Sequence, residues 1–262
     1  MTQRPVIETR VAKAGFDEHW FCGHRVFAEL AGNESGSGML GLAVLGRRLT
    51  EDERGMIDDL AVVITMADPR IWPLKIPRLV ASFGRPAVGL AAANLYQDDA
   101  IIGPPVVEGA ARLVLEVARV DEAGRLARSE ALIESGLRLD GFGVPLRATD
   151  ERLDALTARV RLRRRAGLSH FKALEVLASA VRRLRRLEPN IAAGAAALLL
   201  DIGFTPKQAA IMTLTTVQAC FWANALEGAG QRHEALLELP REHVEYSGPP
   251  PRRSPRAIRG AP

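Results

Sequence analysis

Ten consecutive residues, Ile191 to Leu200, are isoleucine, alanine, glycine or leucine. A helix of that composition has no polar face to turn toward water, and its small side chains let neighbours approach closely, so other helices must enclose it. A second stretch of the same kind, Val80 to Leu95, is expected to be buried on most sides. The surrounding helices announce their starts. Thr50 followed by Glu53 is a capping box, in which the threonine oxygen takes an orphan N–H while the glutamate reaches back to the cap. It opens an amphipathic run through Met66, which Pro69 and Pro73 end. Asp150 is expected to cap a helix through Val160, and Ser169 one through about Leu187. Thr205-Pro206 pairs an N-cap with a first-turn proline ahead of a long apolar helix ending near Leu226. No sustained alternation marks a strand, although Gly124-Arg125 is a turn that could close a short hairpin. The fold class read from these signals is all-α.

With 262 residues, 47% hydrophobic and 25% charged, the chain can bury a sizeable core. Its 35 basic residues are nearly balanced by 31 acidic ones, for a net charge of +4, which argues against a protein built to coat phosphate backbones. Two basic runs, at 161–165 and 182–186, fall on helices with regular apolar positions and read as solvated faces. No zinc finger, phosphate loop or nucleic-acid-reading signature accompanies them, so no nucleic acid is expected as partner. The first fifteen residues are charged and lack the apolar core of a signal peptide. No window approaches the roughly 18 uncharged apolar residues of a membrane span, so a cytoplasmic chain without a membrane partner is expected. Cys22 and Cys220 have no Cys or His neighbours at metal spacing, and are expected to be reduced and buried, with no metal site. The segment 247–262 holds five prolines and four arginines and reads as an extended or disordered arm.

Three stretches, in order, carry a resemblance. GFGVPLRATDER at 141–152, EPNIAAGAAALLLDIGFTP at 188–206 and EYSGPPPR at 245–252 resemble segments of the citrate synthase superfamily, particularly its short citryl-CoA-lyase-like members. Weaker similarity runs through 27–53. The resemblance implies an all-helical homodimer, with a large domain from 1–104 and 201–262 and a small domain, 105–200, that closes over the substrates. It also implies carbon–carbon bond formation or cleavage on a coenzyme A thioester and a small carboxylic acid, with coenzyme A or an acyl-CoA as substrate and no tightly bound cofactor.

Carried over position by position, the family's enolising histidine falls on Gly103, its second histidine on Val144 and its aspartate on Ala192. An upstream histidine falls on Pro69 and an arginine on Val217. Glycine, valine and alanine cannot take a proton or hold a developing oxyanion, so ordinary citrate synthesis is not expected. Arg152 and Arg241 remain as substrate-binding positions, Arg241 being the arginine that the resemblance implies is donated by the partner chain. Arg147 and Arg164 are candidates for the phosphates of coenzyme A.

Replacement catalysts are nameable, each beside a plainer reading. Glu108 is a base or a glutamate serving the helix dipole. His24 and His170 are lone histidines, the latter read as a helix-end residue. Cys220 is a nucleophile or a packed thiol. His243, near Arg241, either reaches a neighbouring site or is a solvated surface residue. Two functions stay open: a repurposed enzyme working on an acyl-CoA or related acid, and a catalytically silent binding or scaffold subunit.

Overall fold

The computed structural model describes residues 8–98, 102–145, 147–232 and 240–250. Among them lie eleven α-helices: α1 (Gly36–Leu45), α2 (Glu51–Val63), α3 (Trp72–Ala81), α4 (Pro86–Asp98), α5 (Pro104–Ala118), α6 (Arg125–Glu134), α7 (Glu151–Leu162), α8 (Ser169–Arg185), α9 (Ile191–Ile202), α10 (Pro206–Thr216) and α11 (Gln218–Ala229). The all-helical reading holds, with one addition. A small antiparallel sheet, β1 (Ala12–Ala14), β2 (His19–Phe21) and β3 (His24–Arg25), precedes the helices.

That sheet turns at Cys22-Gly23, where φ is +47° and +85°. Two successive residues with positive φ make the tight turn whose twist suits a hairpin. Cys22 is therefore partly exposed at a turn, not buried as expected. Lys13 lies opposite Trp20 in the register, with its ammonium 5.2 Å from the ring centre. The expected hairpin turn at Gly124-Arg125 instead joins two helices. Asp121 accepts the N–H of Gly124 at 2.9 Å, and α6 buries Arg125, Ser129, Leu132 and Ile133 at helical spacing.

Helix α9 is enclosed as its composition requires, meeting α2, α5, α7, α8 and α10. Nearly every residue from Ile191 to Ile202 is buried. The capping boxes at Thr50/Glu53 and Thr205/Gln208 both form, and Asp150 caps α7. Ser169 does not cap α8. The carboxylate of Asp201, at the far end of α9, accepts the N–H groups of His170 and Phe171 at 3.0 Å each and meets His170 Nδ1 at 2.8 Å. His170 is thus a helix-end residue.

The stretch from Val80 to Leu95 is not one enclosed helix. Pro86 starts α4 after a break at 82–85, because proline disfavours helical backbone in the residue before it and lacks the N–H to continue a turn. Within the chain α4 buries only Gly89, Ala93 and Gln97, while Val88, Leu95 and Tyr96 face outward. Pro73 likewise starts α3 rather than merely ending α2. Helices α3, α4 and α11 pack on one another. Gly228 makes the closest approach, since a Cβ there would run into the backbone of Arg78, while the Arg78 guanidinium donates to Asn224 and Glu227 of α11. The long apolar helix expected to end near Leu226 is two, broken at Val217. Contrary to expectation, Pro206–Ala229 is long and apolar enough by length and composition to cross a bilayer. Half of its apolar window is buried inside the fold, as in a core helix.

Because Asp201 satisfies two orphan donors at once, Asp201→Ala is expected to cost about 1–3 kcal/mol, and Ser169→Ala much less. Urea unfolding midpoints of the two variants check the order.

Candidate functional site

The turn at 141–143, which precedes Val144, packs against α5 and α9, the helices that carry Gly103 and Ala192. Gly141 and Gly143 have φ of +84° and +98°, the left-handed region in which glycine alone is unpenalised. At Gly141 space is also lacking, for a Cβ would sit 2.9 Å from that of Ala193 and 3.0 Å from that of Ala110. The turn therefore passes between α5 and α9 at backbone thickness. Gly143 N–H donates to Glu188 O at 2.7 Å, and Asn190 N–H to Gly141 O at 2.8 Å. Asn190 also donates from Nδ2 to Gly143 O and accepts from Ala192 N–H, each at 3.0 Å, so one side chain caps α9 and ties down the turn. Val144 and Ala192, both half-buried, end on neighbouring segments. Gly103 is the N-cap of α5, the helix whose Gly109 and Ala110 abut Asp140 and Gly141.

Asp150 secures the other side. Its buried carboxylate accepts Ile191 N–H at 2.9 Å and Arg152 N–H at 3.1 Å, and takes Arg152 Nε and Nη2 at 3.0 Å each. It thereby joins the starts of α7 and α9. Burial alone would raise its pKa, but the Arg152 guanidinium and the Ile191 N–H outweigh it and hold the group below its ordinary value. Arg152, expected at the substrate, spends two nitrogens here. Arg147 pairs with Glu151. Across from it, the exposed loop carrying Pro69 holds Asp68, whose carboxyl is lowered to about 2, first by the Arg70 side chain and then by the Arg70 N–H, with a contribution from the charge of Arg147.

The remaining candidates scatter. Glu108 pairs with Arg112 one turn along α5 at 2.6 Å. His24 lies in the hairpin, 3.4 Å from Glu29. Arg241 and His243 sit in an exposed 3₁₀ turn, Arg241–His243. Arg164 is exposed beyond α7. Val217 is buried at the α10/α11 break. Cys220 is buried, donates to Val217 O at 2.9 Å, and has its thiol pKa pushed up by burial, the opposite of what a nucleophile needs. The basic runs are largely engaged: Arg163 meets Asp59 at 2.7 Å, Arg182 meets Glu188 at 2.6 Å, and Arg183 pairs with Glu130. Of the arm, 247–250 are exposed without helix or strand, and 251–262 lie outside the described residues.

Two polar groups at this site carry no sequence signal. Asp140, immediately before the turn, is the one carboxyl among the described residues held above its ordinary pKa. Burial against α5 outweighs Arg138, whose Nε is 2.7 Å away. Gln97, buried at the end of α4, fills the space a side chain at Gly103 would need. Its Nε2 donates to Ile102 O at 3.4 Å while its Oε1 has no partner among the described residues. Both depend on burial, which spacing does not reveal.

Since the folded-state pKa of Asp150 lies below the unfolded one, its contribution is present above the unfolded value, about 3.9, and is lost as pH falls through the folded one. Asp150→Asn is expected to lower stability by about 2–3 kcal/mol at neutral pH. Its gap from the parent protein should close below about pH 4, as thermal melts across pH would show.

No family model matches the sequence, and no curated protein matches it. Solved structures do. Citryl-CoA lyase from Hydrogenobacter thermophilus superposes with a TM-score of 0.80 at 23% identity, over 97% of this chain and 100% of that one. The ATP citrate lyase of Methanosaeta concilii, a D541A mutant in complex with (3S)-citryl-CoA, gives 0.72 at 15% identity, over 99% of this chain and 44% of that one. Citrate synthase from Thermoplasma acidophilum, in a ternary complex with carboxymethyl coenzyme A and oxaloacetate, gives 0.58 at 18% identity, over 85% of this chain and 59% of that one.

Proposed function

Given that the chain has the citrate synthase fold, we propose that it makes or breaks a carbon–carbon bond beside the carbonyl of a coenzyme A thioester, without the usual histidines and aspartate. The observation that carries this reading is the end-to-end match to a citryl-CoA lyase, over 97% of this chain and 100% of that one. The assigned catalytic positions hold Gly103, Val144 and Ala192, which suits a hydrocarbon acyl group better than oxaloacetate. Asp140 is the group offered as base, because a carboxyl raised by burial binds a proton more readily than a solvated one. In this reading 105–200 is the smaller domain closing on the larger, formed by 1–104 and 201–262. Arg152 and the partner-donated Arg241 hold the acid, and Arg147 and Arg164 the phosphates. The protein works in the cytoplasm, without metal, nucleic acid or membrane.

The active unit is a homodimer. Exposed Val88, Ala91 and Leu95 on α4, and Ala219, Trp222, Ala223 and Leu226 on α11, form two apolar stripes at helical spacing on helices in contact. An apolar face of that kind suits a second copy of itself. The rival reading, a silent binding subunit, is favoured by the three residues at the assigned positions, none of which carries a titratable group.

Thermal melts with coenzyme A, acetyl-CoA, longer acyl-CoAs and dicarboxylic acids test the proposal. A thioester at a hundred times its Kd should stabilise by about 2.7 kcal/mol, whereas no response to any coenzyme A species removes the thioester reading. With a responding thioester, Asp140→Asn should cut turnover roughly a hundredfold or more with little change in melting. Unchanged turnover removes Asp140 as the base, and a parent protein that binds a thioester without turning it over is the silent subunit. Leu95→Glu with Trp222→Glu is expected to convert dimer to monomer in size-exclusion chromatography with light scattering.

A further inference from the structure

Arg125 opens α6 and is only 8% exposed. A guanidinium that deep is ordinarily matched by a carboxylate, because an isolated charge is costly to take out of water. Arg125 has none among the described residues. Its single hydrogen bond there runs from Nη2 to Ser169 Oγ at 3.2 Å, and its buried Nε has no acceptor. Nε and Nη2 lie on the same edge of the guanidinium, the edge that grips two oxygens of a carboxylate or phosphate.

Three acids on the elements around it are committed elsewhere. Glu116 of α5 takes Arg119 and Arg128, Glu130 of α6 takes Arg183, and Asp201 takes His170 and the first turn of α8. Ser169, in contrast, is exposed at the first position of α8. Its oxygen accepts from Arg125, so its own O–H is left to donate outward. Gly167, two residues earlier, has open space where a Cβ would stand, and exposed Arg164 lies on the same connecting loop.

We propose that Arg125 and Ser169 form a binding site for a phosphate-type oxyanion, which enters over Ser169 and pairs with the edge of the guanidinium whose Nε lacks an acceptor. The anion supplies the negative charge that the fold itself withholds. The site is independent of the assigned catalytic positions, and does not require that the chain act on thioesters. Its occupant is either free phosphate or a phosphate group carried by a larger ligand such as coenzyme A.

Thermal melts of the full chain in inorganic phosphate, adenosine 3′,5′-bisphosphate and coenzyme A, each against sodium chloride of equal ionic strength, test the site. The parent protein should melt higher in phosphate than in chloride. A response to bisphosphate at concentrations at least tenfold lower than inorganic phosphate identifies a nucleotide-borne phosphate, and an equal response identifies the free ion. Arg125→Met removes an unpaired buried charge, so it should melt at or above the parent in chloride while losing the phosphate effect. Arg125→Lys keeps the charge without the fork and should weaken phosphate at least tenfold, which preserves the test if the methionine variant does not fold. No phosphate-specific rise in the parent, or a full rise in Arg125→Lys, overturns the site. Phosphate binding without any acyl-CoA binding leaves it standing and removes only the thioester reading.

Discussion

Helix α9 offers water nothing it can hydrogen-bond along its length, and the neighbouring elements are arranged around that constraint. With its backbone sealed in its own ladder and its side chains nearly all buried, it requires α2, α5, α7, α8 and α10 on its surface. Its two ends are the only places where polar groups can enter. At the start, Asn190 and Asp150 supply the oxygens that its first N–H groups need, and each also reaches a second element. The glycine turn and the head of α7 are positioned as a consequence of satisfying one helix end.

The same constraint sets the chemistry available at the assigned positions. Asp150 is the most fully bonded carboxylate there, and a group that accepts two N–H donors and a guanidinium fork is a strut, not a base. Asp140 is less encumbered and is raised by burial. Any proton chemistry beside Val144 and Ala192 is therefore more accessible to a group one residue outside the glycine turn than to those within it. Gln97 adds an uncommitted amide oxygen next to Gly103. Polarity near the assigned positions thus comes from different residues than those expected of this fold.

Features that depend on near neighbours in the chain were legible in the sequence. The capping box at Thr50, the N-cap at Thr205, the Asp150 cap and the enclosed α9 all formed, because each is signalled by residues within one or two turns. Features that depend on distant neighbours were not. Ser169 reads as a cap only until Asp201, thirty-two residues on, is packed beside it. The Val80–Leu95 stretch has the composition of a buried helix, but its outward face has no cover among the described residues. The Cys22-Gly23 turn was overlooked because its flanking strands are only two or three residues long, too short for alternation to register. Arg125, Asp140 and Gln97 look unremarkable as letters, and only depth of burial distinguishes them. The helical fold was thus readable in outline, whereas its buried polar groups were not.

The Asp201 bond has a further implication. A carboxylate at the C-terminal end of a helix opposes that helix's own dipole, so α9 alone is weakened by Asp201 and α8 alone lacks its cap. Each fault is cured only when the two lie side by side in opposite directions. Neither helix is then a self-sufficient folding unit, and the pair should protect its amides from solvent exchange as one cooperative block. A chain cut between Arg186 and Asn190 would lose two stable helices rather than one.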